Sequence, residues 1–452
     1  MYQRYLPYFK QIIILSLPII VGQLGIVLMG VADVIMIGKL KPIHLAAASL
    51  ANAIYFFIAI LGIGTLTAVS PLVAKSKGAN EPKQCAGIYK QSIHAAFILS
   101  IFIGNILYII TENLHWFKQD PAVSLLAKDY LHLLNIGTLP MLLFFAIKQY
   151  SDGLGITKPS AIITIIALLI NVFLNWVFIY GNLGSPKLEL LGAGIATSSA
   201  RAVMAISMYI YIRSNTVYKP YLKISENIDN TLYLKQIFSV GIPSGLQYFF
   251  EVGAFAFAAI MIGWINEFAL AAHQVAINIA SITYMIATGI SAGGSIAVGE
   301  ALGEKNKKNI IDFGRAALLM GTLFMTCCAI ILAAFAPNII SLYTTDAKVA
   351  SMATSLLYIA AFFQISDGIQ CVGLGVLRGI GDTKIPTVIT IFAYWIIGIP
   401  LGYILCFKFS FNLYGVWLAL LIGLSLSAWL LSKRFLRESN KIHVDLVNPL
   451  TN

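Results

Sequence analysis

The sequence predicts an all-α polytopic membrane protein, with twelve transmembrane helices in two six-helix lobes related by a pseudo-two-fold axis along the membrane normal. Three observations carry that expectation. Of 452 residues, 59% are hydrophobic and only 11% charged, whereas soluble domains carry about 25% charge. The apolar residues fall in twelve stretches, each of at least about 18 residues and so long enough to cross a bilayer. The second six stretches then repeat the first six.

The first-half spans lie near 11–38, 46–74, 90–112, 124–149, 159–181 and 190–213. Those of the second half lie near 237–264, 270–298, 314–336, 348–374, 386–407 and 413–434. Between them, SNTVYKPYLKISENIDNTLYLKQ is the most polar stretch. The expected division is an N-lobe at 1–214, a cytoplasmic linker at 215–236, a C-lobe at 237–436 and a cytoplasmic tail at 437–452. The opening MYQRYLPYFKQ precedes a long span without a small-residue cleavage site, so no removable signal peptide is expected.

Net charge is +11, but the basic residues sit in short loops between spans, which orients a membrane protein rather than binding nucleic acid. Lys75, Lys77, Lys83, Lys158, Lys219, Lys223, Lys235, Lys305, Lys307, Lys308, Lys384 and Lys433 fall on one side. Few face the other, among them Lys118, Lys128, Lys187 and Lys348. Both termini are therefore expected in the cytoplasm, in a multi-pass protein of the cell (inner) membrane. Trp116 and Trp264, near the outer ends, fit either an interfacial belt or packing. The five cysteines are odd in number and lack a CxxC spacing, so neither a disulfide framework nor a cysteine metal site is expected. Cys85 in a basic loop, and Cys327, Cys328, Cys371 and Cys406 in apolar segments, read as small packing residues.

The repeat is explicit. Shifted by 225 positions, Met36-Ile37-Gly38 meets Met261-Ile262-Gly263, Leu45-Ala46-Ala47 meets Leu270-Ala271-Ala272, and Pro18 meets Pro243. One residue of drift later, the turn Gly153-Leu-Gly155-Ile-Thr157-Lys158 meets Gly379-Ile-Gly381-Asp-Thr383-Lys384. An even number of spans per copy keeps both copies in the same orientation, the plan of transporters with an axis along the membrane normal.

Asp33, Glu251 and Asp367 lie inside otherwise apolar spans, where insertion of an acid costs about 2.5–3.5 kcal/mol. None of the three occupies a repeat-equivalent position: Asp33 falls opposite Ala258 and Glu251 opposite Ile26. They are additions to the repeated packing, which points to function and to coupling with Na+ or H+. The bland alternative pairs each acid with a buried base, Arg201 or Lys148. Asn171, Asn175 and Thr197 join Asp33 as candidate lining of an N-lobe pocket, and Gln274, Asn278 and Tyr284 follow Glu251 on the next span. A tyrosine face helps hold a cation; single amides and hydroxyls also serve as interhelical glue. Pro18 and Pro243 are expected to kink their helices.

Other chemistries find no support. The GxGxTK turns lack phosphate-loop spacing and join two membrane spans. His44, His94, His115, His132, His273 and His443 form no cluster, and no nucleophile–base pair or HExxH occurs, so an enzyme is not expected. Paired Asp-rich motifs for Mg²⁺ are missing too. Arg378 in VLRGIGDTK reads as a topology signal or, less directly, a cytoplasmic gate.

SLPIIVGQL followed by MGVADVIMIG, FFEVGAFAF followed by AAHQVAINIAS, and FFQISDGIQCVGLGVLRGIGDTK closely resemble the multidrug and toxic-compound extrusion (MATE) family, nearest its NorM-like branch. The resemblance covers nearly the whole chain. It implies a V-shaped cavity between the lobes that opens alternately to the two sides, and export of bulky, often cationic, organic compounds in exchange for Na+ or H+. Carried over by position, Glu251 and Asp367 resemble the branch's C-lobe cation carboxylates with Tyr284 as aromatic neighbour. Asp33, Asn175 and Thr197 resemble the N-lobe cation or proton site. The related DinF-like branch carries a second N-lobe acid where this chain has Ile179, which favours the NorM-like reading. A flippase for a lipid-linked precursor is the alternative, and would need a cavity lined by Arg and Lys. No cofactor is expected beyond the coupling Na+ or H+. The only metal ion in view is a Na+ at Glu251 and Asp367, and the protein is expected to act as a monomer.

Overall fold

The computed structural model describes residues 2–223 and 230–442, without the side chains of 2–4 and 230. Linker positions 224–229 and the tail beyond 442, His443 included, lie outside the described residues. Among those described, twelve helices are long and apolar enough to cross a membrane. In chain order they are α1 (Tyr5–Ile37), α2 (Pro42–Gly78), α3 (Pro82–Glu112), α4 (Pro121–Gly153), α5 (Lys158–Tyr180) and α6 (Glu189–Ser214). The second set is α7 (Thr231–Gly263), α8 (Glu267–Gly303), α9 (Lys307–Ser341), α10 (Ala347–Gly379), α11 (Lys384–Lys408) and α12 (Asn412–Lys441).

Each predicted span has its helix, but the helices run past the apolar stretch. The 37 residues of α8 rise about 55 Å at 1.5 Å each, well beyond the ~30 Å hydrocarbon layer. Hydropathy marks what lies in oil; backbone hydrogen bonding carries the helix on into the polar layer. Cys85 shows the consequence. It is not in a loop but buried within α3. Cys371 and Cys406 are buried as expected of packing residues, whereas Cys327 is exposed on α9. Trp116 and Trp264 are 59% and 58% exposed, which removes a core-packing role.

Several helices are interrupted where they serve packing. α2 breaks between Leu66 and Val69, and α4 turns at Gly137. α11 widens to π geometry over Phe392–Gly398 and again over Ile404–Lys408.

Contacts divide the described chain into two compact units. One comprises Val21–Gly245 and the other Met1–Ile20 with Leu246–Asn452. The division by contact therefore does not follow the linker. Each repeat's first helix gives its opening half to the other unit, and the change comes two residues after Pro18 in α1 and Pro243 in α7. A proline removes one i→i−4 hydrogen bond and crowds the preceding turn, so each sits where a helix passes from one packing environment to the next.

The repeated GxGxTK turns are helix C-caps. Gly155 and Gly381 have φ of +81° and +83°, a conformation that glycine adopts without strain. Gly155 N–H donates to Asp152 O and Ile156 N–H to Ser151 O; likewise Gly381 N–H donates to Arg378 O and Asp382 N–H to Leu377 O. This paired pattern is the Schellman motif, which satisfies the last free carbonyls of a helix. In the last turn of α4, just before the first of these caps, the Tyr150 hydroxyl donates to Tyr221 O and Ser151 shares a hydrogen bond with the Tyr218 hydroxyl. The start of the inter-repeat linker is thereby tied to α4.

Candidate functional site

In the unit that contains α8 to α12, Glu251 on α7 is buried at 4% exposure. Gln247, one turn earlier on the same helix, donates Nε2–H to Glu251 Oε2 at 3.1 Å. Gln370 of α10 donates Nε2–H to Glu251 Oε1 at 3.1 Å, and the Tyr284 hydroxyl of α8 donates to the same oxygen at 3.4 Å. Asp367, also 4% exposed, is one turn before Gln370 and lies within electrostatic reach of Glu251. A helix places i and i+3 on one face, which is how α10 contributes both an acid and an amide. The widened π segment of α11 turns Tyr394 inward, where its hydroxyl donates to Gln370 Oε1 at 3.0 Å. From the same segment, Trp395 Nε1–H donates to Phe250 O at 2.9 Å. Single π turns are frequent at functional sites.

Tyr284 thus stands where the sequence put it, but it meets Glu251 through its hydroxyl. Gln274 and Asn278 do not join the group. Both are exposed, and Asn278 donates to the Gln274 carbonyl of its own helix. The amides that do reach Glu251 are Gln247 and Gln370. Their signal was present in sequence, one helical turn from each acid.

Arg378 corrects another expectation. It is buried at 5% exposure, so it is not a surface topology signal. Its guanidinium lies 5.4 Å from the centre of the Tyr248 ring and donates to Gln247 Oε1 at 3.5 Å. It touches the amide that holds Glu251.

The other unit holds the second group. Asp33 on α1 receives Asn175 Nδ2–H from α5 at Oδ1 and the Thr197 hydroxyl from α6 at Oδ2, the latter at 2.8 Å. Asn175 Nδ2–H also donates to Asn171 Oδ1 at 3.2 Å, and Asn171 Nδ2–H to Thr197 Oγ1 at 3.4 Å. Asn171 and Asn175 are fully enclosed. The four side chains form a closed ring in which three neutral groups, Asn171, Asn175 and Thr197, hold one carboxylate. Asn175 spends its amide hydrogens on two acceptors, and its own Oδ1 is buried with no hydrogen-bond partner. An orphaned acceptor beside a carboxylate suits a cation or an added proton donor. Ile179, one turn on, is fully buried in the apolar core, so no second acid stands there.

The two bases considered as acid partners are engaged elsewhere. Lys148 pairs with Asp152 one turn along α4, with Ser160 donating to the same carboxylate at 3.3 Å. Arg201 lies 4.5 Å over the Tyr55 ring and donates to its hydroxyl at 2.8 Å and to Leu134 O at 3.3 Å. Neither forms an ion pair with Asp33. No group of three or more metal-ligating His, Cys, Asp or Glu side chains occurs among the described residues.

Twelve membrane-spanning helices, in two units that each bury a carboxylate among neutral amide and hydroxyl donors, define a multi-pass membrane protein of the transporter class. The sequence model of the MatE family matches residues 18–177 and 243–404, one match in each repeat. The chain is 32% identical to the multidrug resistance protein MdtK of Proteus mirabilis over 96% of each chain. It is 32% identical to the multidrug resistance protein NorM of Aliivibrio fischeri over 98% of each. Its fold resembles that of the eukaryotic MATE transporter AtDTX14, with a TM-score of 0.88 over 97% of this chain and 99% of that one, at 19% identity. The chain belongs to the MatE family, on its NorM-like branch.

Proposed function

We propose that this chain is a secondary active multidrug efflux antiporter that exports organic, often cationic, compounds in exchange for Na+ or H+ by alternating access. The observation that carries it is the company Glu251 keeps. Its hydrogen-bond partners are Gln247, Gln370 and Tyr284, all neutral. Neutral donors orient a carboxylate without cancelling its charge, and a buried charge is stable only when paired or neutralised. An entering cation or proton supplies that neutralisation, and its departure restores the cost. With Asp367 beside it, the C-lobe group offers two acids to one ion, while Asp33 with Asn171, Asn175 and Thr197 takes a proton or meets substrate. The names of the relatives as multidrug resistance proteins support drug export. The role is transport rather than catalysis, by a monomer in the cell (inner) membrane with both termini cytoplasmic.

The flippase reading needs free bases in a cavity for pyrophosphate. Arg201 and Lys148 are its two candidates, and Tyr55 and Asp152 hold them.

Moving one charge across 100 mV supplies about 2.3 kcal/mol, a roughly 50-fold gradient of a neutral substrate. A cation leaving for one monovalent ion entering moves no net charge, so the ion's chemical gradient must drive it. In inverted vesicles, uptake of a fluorescent organic cation should respond to an imposed Na+ gradient with the membrane potential clamped at zero. Uptake that ignores Na+ and follows a proton gradient moves the coupling to H+. If that response vanishes in Asp33→Asn, the N-lobe group carries it. Uptake indifferent to both gradients would overturn the antiporter reading.

A further inference from the structure

The opening turns of α9 carry a basic cavity that the transport reading leaves unused. It measures about 450 Å³ and is lined by Lys307, Lys308, Ile311, Asp312 and Arg315. Lys307 is anchored through a hydrogen bond from Nζ to the Asn440 carbonyl of α12. Asp312 is buried in the floor at 1% exposure, whereas Lys308 and Arg315 are exposed. Three bases against one acid leave the lining positive.

What lies below the cavity decides its occupant. One turn after Arg315 on the same helical face comes Leu319, 46% exposed, then Leu323 at 61% and Ile330 at 63%. Of the twelve spans α9 is the least buried, with 22% of its apolar window enclosed. A water-borne anion needs only the cavity. A molecule with an anionic phosphodiester at one end and acyl chains at the other meets both the bases and the apolar stripe beneath them. The eight steps from Lys307 to Arg315 rise about 12 Å, and long basic side chains reach toward the interface while their stems stay in apolar surroundings.

We propose that this face binds an anionic phospholipid, with its phosphate held by Lys308 and Arg315 beside the anchored Lys307 and an acyl chain lying along Leu319, Leu323 and Ile330. None of these residues belongs to the groups around Glu251 and Asp367 or around Asp33, and the test reads binding rather than transport.

The test uses the full chain with its native cysteines replaced and Leu323→Cys labelled with an environment-sensitive fluorophore. The protein is placed in phosphatidylcholine vesicles containing rising fractions of brominated phosphatidylglycerol or brominated phosphatidylcholine, whose bromines quench nearby fluorescence. The parent should be half-quenched at a several-fold lower fraction of the anionic lipid. A basic residue near an anionic surface contributes about fivefold to such a preference, so Lys308→Gln or Arg315→Gln should each reduce it by up to that factor. The double variant should be quenched equally by both lipids. Equal quenching in the parent, or an undiminished preference in the double variant, overturns the proposal. So does a preference abolished by soluble glycerol 3-phosphate, which would assign the cavity to a free anion. If the double variant does not fold, Lys308→Gln alone, an exposed substitution, still decides between retained and reduced preference.

Discussion

Gln370 links two buried groups: its Nε2–H donates to Glu251 Oε1 at 3.1 Å, while its own Oε1 accepts the Tyr394 hydroxyl at 3.0 Å. An amide so placed cannot rotate without breaking both bonds. It fixes the orientation of the carboxylate on α7 from α10 and is itself fixed from α11.

Gln370→Leu should therefore cost more than the loss of one contact. It strands the buried Tyr394 hydroxyl, at about 1–3 kcal/mol, and also removes one of the two donors to Glu251 Oε1, leaving the longer bond from Tyr284. Tyr394→Phe alone should cost less. With Gln370 already replaced, Tyr394→Phe should be nearly neutral or stabilising. Thermal unfolding of the two single variants and the double variant in detergent measures this coupling. Additive effects would show that the three side chains do not act as one network.

Glu251→Gln and Asp367→Asn should each abolish ion-coupled export while the protein stays folded and inserted. Removing one partner of a buried ion pair is destabilising by about 3–5 kcal/mol, but the hydrogen-bond partners of Glu251 are neutral. Its neutralisation should leave the melting temperature unchanged or raised. Size-exclusion profiles and melting curves, measured with drug export, check this. Aggregation of Glu251→Gln that is rescued by Arg378→Gln would instead make the nearby guanidinium its true partner.

Lys148 and Asp152 should behave in the opposite way. The two face each other one turn apart with side chains 4% and 1% exposed. Lys148→Met alone should destabilise by about 3–5 kcal/mol, and the double change Lys148→Met with Asp152→Asn should recover most of it. Export in the recovered double variant should approach that of the parent. Persistent loss of export in a well-folded double variant would give this pair a role in transport.

The orientation predicted from Lys and Arg can be read by single-cysteine labelling after the native cysteines are removed. Cysteines replacing Lys118 and Asp346 should react with an impermeant reagent in whole cells, and those replacing Asn80 and Asn306 should react only after permeabilisation. The reverse pattern would invert the protein in the membrane.

The sequence by itself determined the twelve spans, the internal repeat and the three acids. These are local properties: hydropathy is a sum over consecutive residues, a repeat is a comparison at a fixed shift, and an acid in an apolar run stands out without knowledge of its neighbours. Even Gln247 and Gln370 could have been read, because a helical turn fixes their faces relative to Glu251 and Asp367. The tertiary structure alone decided the partners across helices. Gln274 and Asn278 follow Glu251 closely in sequence, yet the rotation of α8 leaves them exposed and presents Tyr284 to the acid. Tyr394 reaches Gln370 because α11 widens locally, and nothing in the spacing of FAYWIIG announces that change of pitch. Lys148 chose Asp152, and Arg378 went inside. The passage of α1 and α7 from one compact unit to the other just past Pro18 and Pro243 was equally invisible. Periodicity tells which side of a helix is apolar; which neighbour that side meets depends on helix rotation and depth, and these are set by the packing of all the helices at once.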